Sequence, residues 1–123
     1  MDLATESWSD GRFLCVGLDP DFEAVSTLLP DLDPVQRQLE FNREIVDHTI
    51  EVAGAYKPNS AFYEARGADG VATLRDTIRY IHELEPNIPV ILDAKRGDIG
   101  NTNRGYVEYA FDYLKADAIT IHP

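Results

Sequence analysis

The sequence predicts an α/β fold of parallel strands joined by helical crossovers, and three observations carry that prediction. Four short apolar runs lie well apart, at 13–18, 55–57, 89–93 and 118–121. The stretches between them place apolar residues at helical spacing. No low-complexity segment or shift in composition marks a linker, so the chain reads as one unit.

Phe13 to Leu18 is a continuous apolar run closed by Asp19-Pro20, which predicts a first strand buried on both faces. A short segment, Phe22 to Leu29, leads to Asp33, a helix cap followed by Pro34 at the first helical position. Val35, Leu39, Asn42, Val46, Ile50 and Ala53 then follow helical spacing, with Gly54 as the expected stop. Ala55-Tyr56-Lys57 is a weaker strand signal, because Pro58 cannot donate to a ladder. Val71, Leu74, Ile78, Ile81 and Leu84 line one face of the next helix, and Pro89 to Asp93 is the clearest strand. The segment from Lys95 to Asn101 is expected as a loop in which Gly97 and Gly100 turn the backbone. A helix through Tyr106, Ala110, Tyr113 and Leu114 follows, and Ala118 to Ile121 is the fourth strand.

Strands recurring about every 30 residues match the units of a (β/α)8 TIM barrel. A complete barrel takes about 250 residues, so residues 1–123 correspond to its first four βα units, a half barrel. A small doubly wound sheet of flavodoxin type has similar spacing, and spacing does not separate the two.

Composition removes several classes of function. Eleven basic against 22 acidic residues leave a net charge of −11, which argues against tracking a nucleic-acid backbone. No apolar run approaches the ~18 residues of a membrane span. The first residues are acidic rather than basic and then apolar, so no secretory leader is read and a cytoplasmic protein is expected. The single Cys15 can form no internal disulfide, and its apolar neighbours predict a small buried side chain. His48 and His82 read as solvated or helix-end residues, and Trp8 and the tyrosines as packing or boundary positions. No zinc spacing, dinucleotide fingerprint or phosphate-binding Walker loop occurs, so neither metal nor cofactor is expected.

The chemistry concentrates in Asp93-Ala94-Lys95-Arg96-Gly97-Asp98, at the carboxyl end of the clearest strand, where α/β folds place their sites. A period of two sends Asp93 and Lys95 to the same side, while Asp98 lies beyond the bend at Gly97. A lysine between carboxylates keeps its proton, which suits it to donating one. Asp19 and Lys57 stand at the same end of strands one and two. Lys57, Asp93 and Lys95 therefore form an expected chain of alternating charge, suited to stabilising charge that develops in a transition state.

Beyond these residues the chain resembles the orotidine 5′-phosphate decarboxylases, in particular their longer bacterial type. The likeness runs through Phe13-Leu14-Cys15-Val16-Gly17-Leu18-Asp19-Pro20, the segment from Phe41 to Val46, the segment from Ala55 to Glu64, and Val90 to Thr102. It implies decarboxylation of orotidine 5′-monophosphate to UMP, the last step of pyrimidine nucleotide synthesis, without metal or organic cofactor. By position it implies that Asp93 lies beside the substrate carboxylate and that Lys95 gives a proton to C6 of the pyrimidine. Lys57 would complete the network and touch the ribose, and Asp19 would bind a ribose hydroxyl. Asp98 and Thr102 would cross a dimer interface, so a homodimer with shared sites is implied, as is fusion or association with orotate phosphoribosyltransferase. The later strands and the phosphate-gripping arginine of the family lie outside these residues, so the chain alone is expected to be inactive and to self-associate.

Two other readings compete. A magnesium-dependent 3-keto-gulonate phosphate decarboxylase or hexulose phosphate synthase would need an acidic metal ligand where the second strand carries Lys57. A half barrel serving as a non-catalytic assembly module needs only its open sheet edges and uncovered apolar interior.

Overall fold

The computed structural model describes residues 3–123. A first helix, α1 (Leu3–Ser9), precedes β1 (Leu14–Gly17), and α2 (Phe22–Leu28) and α3 (Pro34–Thr49) lead to β2 (Ala53–Lys57). The short α4 (Ala61–Glu64) and long α5 (Gly67–Leu84) lead to β3 (Ile91–Arg96). Next come α6 (Gly100–Val107), a π-helical extension over Glu108–Tyr113, and β4 (Ala118–Ile121).

Local chemistry starts the helices, at Asp33 where the sequence predicts a cap and at Asp21 where it predicts only a short segment. The Asp33 carboxylate accepts a hydrogen bond from Val35 N at 2.9 Å with Pro34 in the first turn, and Asp21 caps α2 by accepting from Ala24 N at 2.9 Å. The predicted loop from Lys95 to Asn101 is shorter than expected: Lys95 and Arg96 finish β3, and α6 begins at Gly100, whose φ of +49° suits a residue without Cβ. Gly54 does not stop α3. The helix ends at Thr49, and Gly54 lies inside β2, where an added Cβ would stand 2.2 Å from the Arg12 carbonyl oxygen. Its smallness serves the close approach of the chain entering β1.

All strand pairs are parallel. β1 pairs with β2 through Val16↔Tyr56 and Gly17↔Lys57, and β3 pairs with β4 through Ile91↔Ala118 and Leu92↔Ile119. Tyr56↔Val90 and Asn59↔Asp93 join β2 to β3. Pro58 does not end this pairing: it lacks a donor, but its carbonyl accepts from Asp93 N at 2.9 Å. The spatial order β1-β2-β3-β4 thus repeats the chain order with no reversal, as in a barrel, whereas a doubly wound sheet reverses at a switch point.

The hydrophobic core lies between the strands and the helices. Tyr56, Val90, Leu92 and Ala94 are buried with Val46 of α3 and with Leu74, Ile78 and Ile81 of α5. Along β3 the neighbours of Leu92 and Ala94 are more open: Ile91 and Asp93 are half-buried and Lys95 is exposed. β1 departs from the prediction of burial on both faces. Phe13 is 73 % exposed, and Leu14 and Cys15 are also exposed, so Cys15 is not a buried hydrophobe. An apolar run reports the absence of polar atoms, not which surface covers it. No helix among the described residues is long and apolar enough to cross a membrane.

Candidate active site

The carboxyl ends of the four parallel strands come together at one end of the sheet, and most of the predicted site residues stand there. Lys57 is the last residue of β2, and its Nζ donates to Asp93 Oδ2 at 3.0 Å. Lys95, two residues beyond Asp93 on β3, donates from Nζ to Asp93 Oδ1 at 2.7 Å. One carboxylate therefore lies between two ammonium groups, each on its own oxygen. Its side chain is 12 % exposed, against 35 % for Lys57 and 56 % for Lys95, so the anion sits deepest and the cations reach toward the open space.

The electrostatics follow. Hydrogen bonds from Lys95, then from Lys57, hold the Asp93 carboxyl well below the usual carboxylate range despite the opposing cost of burial. The same contact raises Lys57, which the Asp93 hydrogen bond keeps protonated against partial desolvation. This is a preorganised array of two positive charges and one negative at a strand-end opening.

Asp19 joins from β1: it follows the strand by two residues, and its Oδ1 accepts from Asn59 N, just past β2, at 2.8 Å. Behind it lies a buried polar frame. Tyr63 donates to the Leu18 carbonyl at 2.7 Å while accepting from Asn42 Nδ2 at 3.0 Å, and Gln38 Nε2 donates to the carbonyls of Pro20 and Phe62. Helical spacing finds Asn42 on the inward face of α3 but not its partners, which come from 21 and 35 residues away.

Asp98 and Thr102 are not part of this array. Asp98 is exposed on the loop after β3, where its Oδ1 accepts from Ile99 N at 2.7 Å and its backbone N–H donates to Asn103 Oδ1 at 2.9 Å. Thr102 is exposed in the first turn of α6 and lines a shallow depression with Glu64, Arg96 and Tyr106. His48 and His82 also stand apart from the array, the first exposed on α3 and the second 3.1 Å from Asp117. Among the described residues no three His, Cys, Asp or Glu side chains converge as a metal-binding group.

One residue of the site escaped the sequence. Thr120, in the middle of β4, donates from Oγ1 to Asp93 Oδ1 at 2.9 Å and accepts from the backbone N–H groups of Ala94 and Lys95 at 3.1 and 3.0 Å. Nothing in Ala118-Ile119-Thr120-Ile121 distinguishes this threonine from an ordinary strand residue. The register of β3 with β4 is what brings it opposite Asp93.

Comparison with known proteins places this geometry in a family. The family model described as orotidine 5′-phosphate decarboxylase / HUMPS family matches residues 12–123. The orotidine 5′-phosphate decarboxylase of Christiangramia forsetii is 51% identical over 99% of this chain, and the match takes in 44% of that protein. Among solved structures, an OMP decarboxylase of Leishmania donovani superposes on 97% of this chain with a TM-score of 0.80 and 40% identity, over 42% of its own length. A UMP synthase of the same organism matches with a TM-score of 0.79 and 40% identity, over 97% of this chain and 24% of that one. The chain thus spans less than half the length of each of these three relatives. The strand order, the superposition on decarboxylase barrels and the matched region holding the Lys57, Asp93 and Lys95 array agree, and the chain belongs to the orotidine 5′-phosphate decarboxylase / HUMPS family with the fold of part of a (β/α)8 barrel.

Proposed function

We propose that the protein carrying this chain decarboxylates orotidine 5′-monophosphate to UMP and carbon dioxide. The observation that carries this reading is the Lys57–Asp93–Lys95 array at the strand ends. As the C6 carboxylate leaves as carbon dioxide, its bonding electron pair stays on C6 of the pyrimidine, and fixed cations lower the energy of that carbanion. The Lys95 ammonium gives its proton to C6, completing UMP, and recovers a proton from solvent. Asp93 holds Lys95 in place and opposes the substrate carboxylate by like charge. Lys57 and Asp19 bind ribose hydroxyls.

The magnesium-dependent alternative has less support, because Lys57 occupies the β2 position and is spent on Asp93, so an acidic metal ligand is missing there. Residues 1–123 form, in this reading, the N-terminal half of one barrel domain. Further elements then cover the apolar surface around Phe13 and Ile121, which are 73 % and 71 % exposed. The likeness to a UMP synthase supports fusion or association with an orotate phosphoribosyltransferase.

Asp98 and Thr102, turned away from their own array, serve a neighbouring subunit's site in a homodimer. The test uses the full-length protein and formation of UMP from orotidine 5′-monophosphate; a wild-type protein without turnover overturns the reading. The shared site is tested by mixing Lys95→Ala and Asp98→Asn chains, each inactive by itself. Random equal mixing makes about half of the dimers mixed with one intact site in each, so about a quarter of all sites recover activity. No rise after confirmed subunit exchange assigns Asp98 to its own subunit.

A further inference from the structure

The pairing of β3 with β4 is interrupted at the site. Leu92 pairs with Ile119 and Arg96 with Ile121, so Asp93, Ala94 and Lys95 together face the single residue Thr120. A bulge of this kind leaves backbone groups outside the ladder, and such bulges re-aim side chains. Here the amides of Ala94 and Lys95 both donate to Thr120 Oγ1, at 3.1 and 3.0 Å, and the hydroxyl donates to Asp93 Oδ1 at 2.9 Å. A hydroxyl has one proton and two lone pairs, so these three bonds use its whole capacity. With both lone pairs facing amides, its proton can point only at the carboxylate.

Lys95 has φ of +48°, in the left-handed region that side chains with a Cβ disfavour. Such a conformation persists where its surroundings over-determine it. Lys95 is held at both ends: its backbone N–H rests on Thr120 and its Nζ on Asp93, which Thr120 also holds. The three residues form a closed ring of contacts in which threonine is the one residue whose side chain carries no formal charge.

We propose that Thr120 is the positioning residue of this site: its hydroxyl locks the β3 bulge and thereby sets the aim of the Lys95 ammonium relative to the Asp93 carboxylate. The inference rests on the decarboxylase reading for its chemical consequence, and on the bulge geometry alone for the lock itself. A threonine that merely filled space would be replaced by valine, of nearly the same shape, without effect on turnover. A lock made of hydrogen bonds is lost in valine and kept in serine.

The experiment compares Thr120→Val and Thr120→Ser in the full-length protein. It reads kcat and KM for orotidine 5′-monophosphate, the thermal midpoint, and hydrogen exchange at the amides of Ala94 and Lys95. Thr120→Val is expected to lower kcat about 100-fold with KM within about threefold, as misplacing a reacting group does. Its two amides should exchange at least about tenfold faster, and Thr120→Ser should stay within about fivefold of wild type in both readouts. If the valine protein does not fold, Thr120→Ala is read by the same criteria. A valine variant with kcat within about threefold of wild type, or a serine variant as impaired as valine, overturns the positioning role. Wild-type protein with no turnover overturns the decarboxylase reading instead; unchanged exchange at Ala94 and Lys95 in Thr120→Val then overturns the lock.

Discussion

The two faces of the parallel sheet are built on opposite rules. The outer face carries Tyr56, Val90, Leu92 and Ala94 under α3 and α5, and no formal charge is buried among them. The inner end carries Lys57 and Lys95, each hydrogen-bonded to Asp93, with the lysines reaching toward solvent and the carboxylate beneath them. Burying an aliphatic side chain stabilises a fold by about 1.5–3 kcal/mol, while an exposed ion pair contributes about 0–1 kcal/mol. The difference teaches that the outer face keeps the strands in register, and that register lets the other end hold together charges whose arrangement contributes little to stability and, in the proposed reaction, lowers the barrier.

That separation can be broken by experiment. The largest effect is expected for Lys95→Ala in the full-length protein: kcat falls by at least about 10³-fold, while nucleotide binding stays measurable and the thermal midpoint moves little. Retention of most of kcat would remove Lys95 from proton donation. Next comes Ile78→Ala in α5, the helix that covers the outer face, where the side chain is fully buried. A loss of about 2–5 kcal/mol in denaturant unfolding is expected, with kcat per folded molecule unchanged. An equal fall in kcat would mean that the two faces are not separable.

The smallest effect concerns pH. Because the folded-state pKa of Asp93 is depressed, its contribution to stability is present above the unfolded carboxylate value of about 3.9 and fades as pH falls through the folded value. Lys57 has the opposite sign: its raised pKa contributes below the unfolded lysine value of about 10.4 and is lost as pH rises through the folded one. The stability gap between wild type and Asp93→Asn should therefore narrow as pH is lowered from about 6 to about 3. A gap that stays constant over that range would mean the carboxylate's ionisation contributes nothing to folding.

Much of the molecule is legible in the residues themselves. Asp33-Pro34 starts α3 because a carboxylate cap and a proline with fixed φ act within one turn. Asp93 and Lys95 contact each other, and a spacing of two positions along one strand already predicts it. Gly54 misled, because a glycine that ends a helix and a glycine that admits a neighbouring backbone look alike until Arg12 is seen against it. Cys15 and Phe13 misled for a related reason: burial belongs to the covering surface, and the string of letters carries only the run's apolarity.

The amino-acid sequence by itself determined the four strands, the helices α3, α5 and α6, the end of the sheet that bears charge and the candidates Lys57, Asp93 and Lys95, because all of these depend on neighbours within a turn or a strand. Only the tertiary structure decided that the strands run in barrel order, that Pro58 continues the sheet through its carbonyl, and that Thr120 stands against the β3 bulge. Those features are contacts between residues 25 to 40 positions apart, such as Lys95 with Thr120 and Val16 with Tyr56, and they exist only once packing of the helices has set the register of one strand against the next.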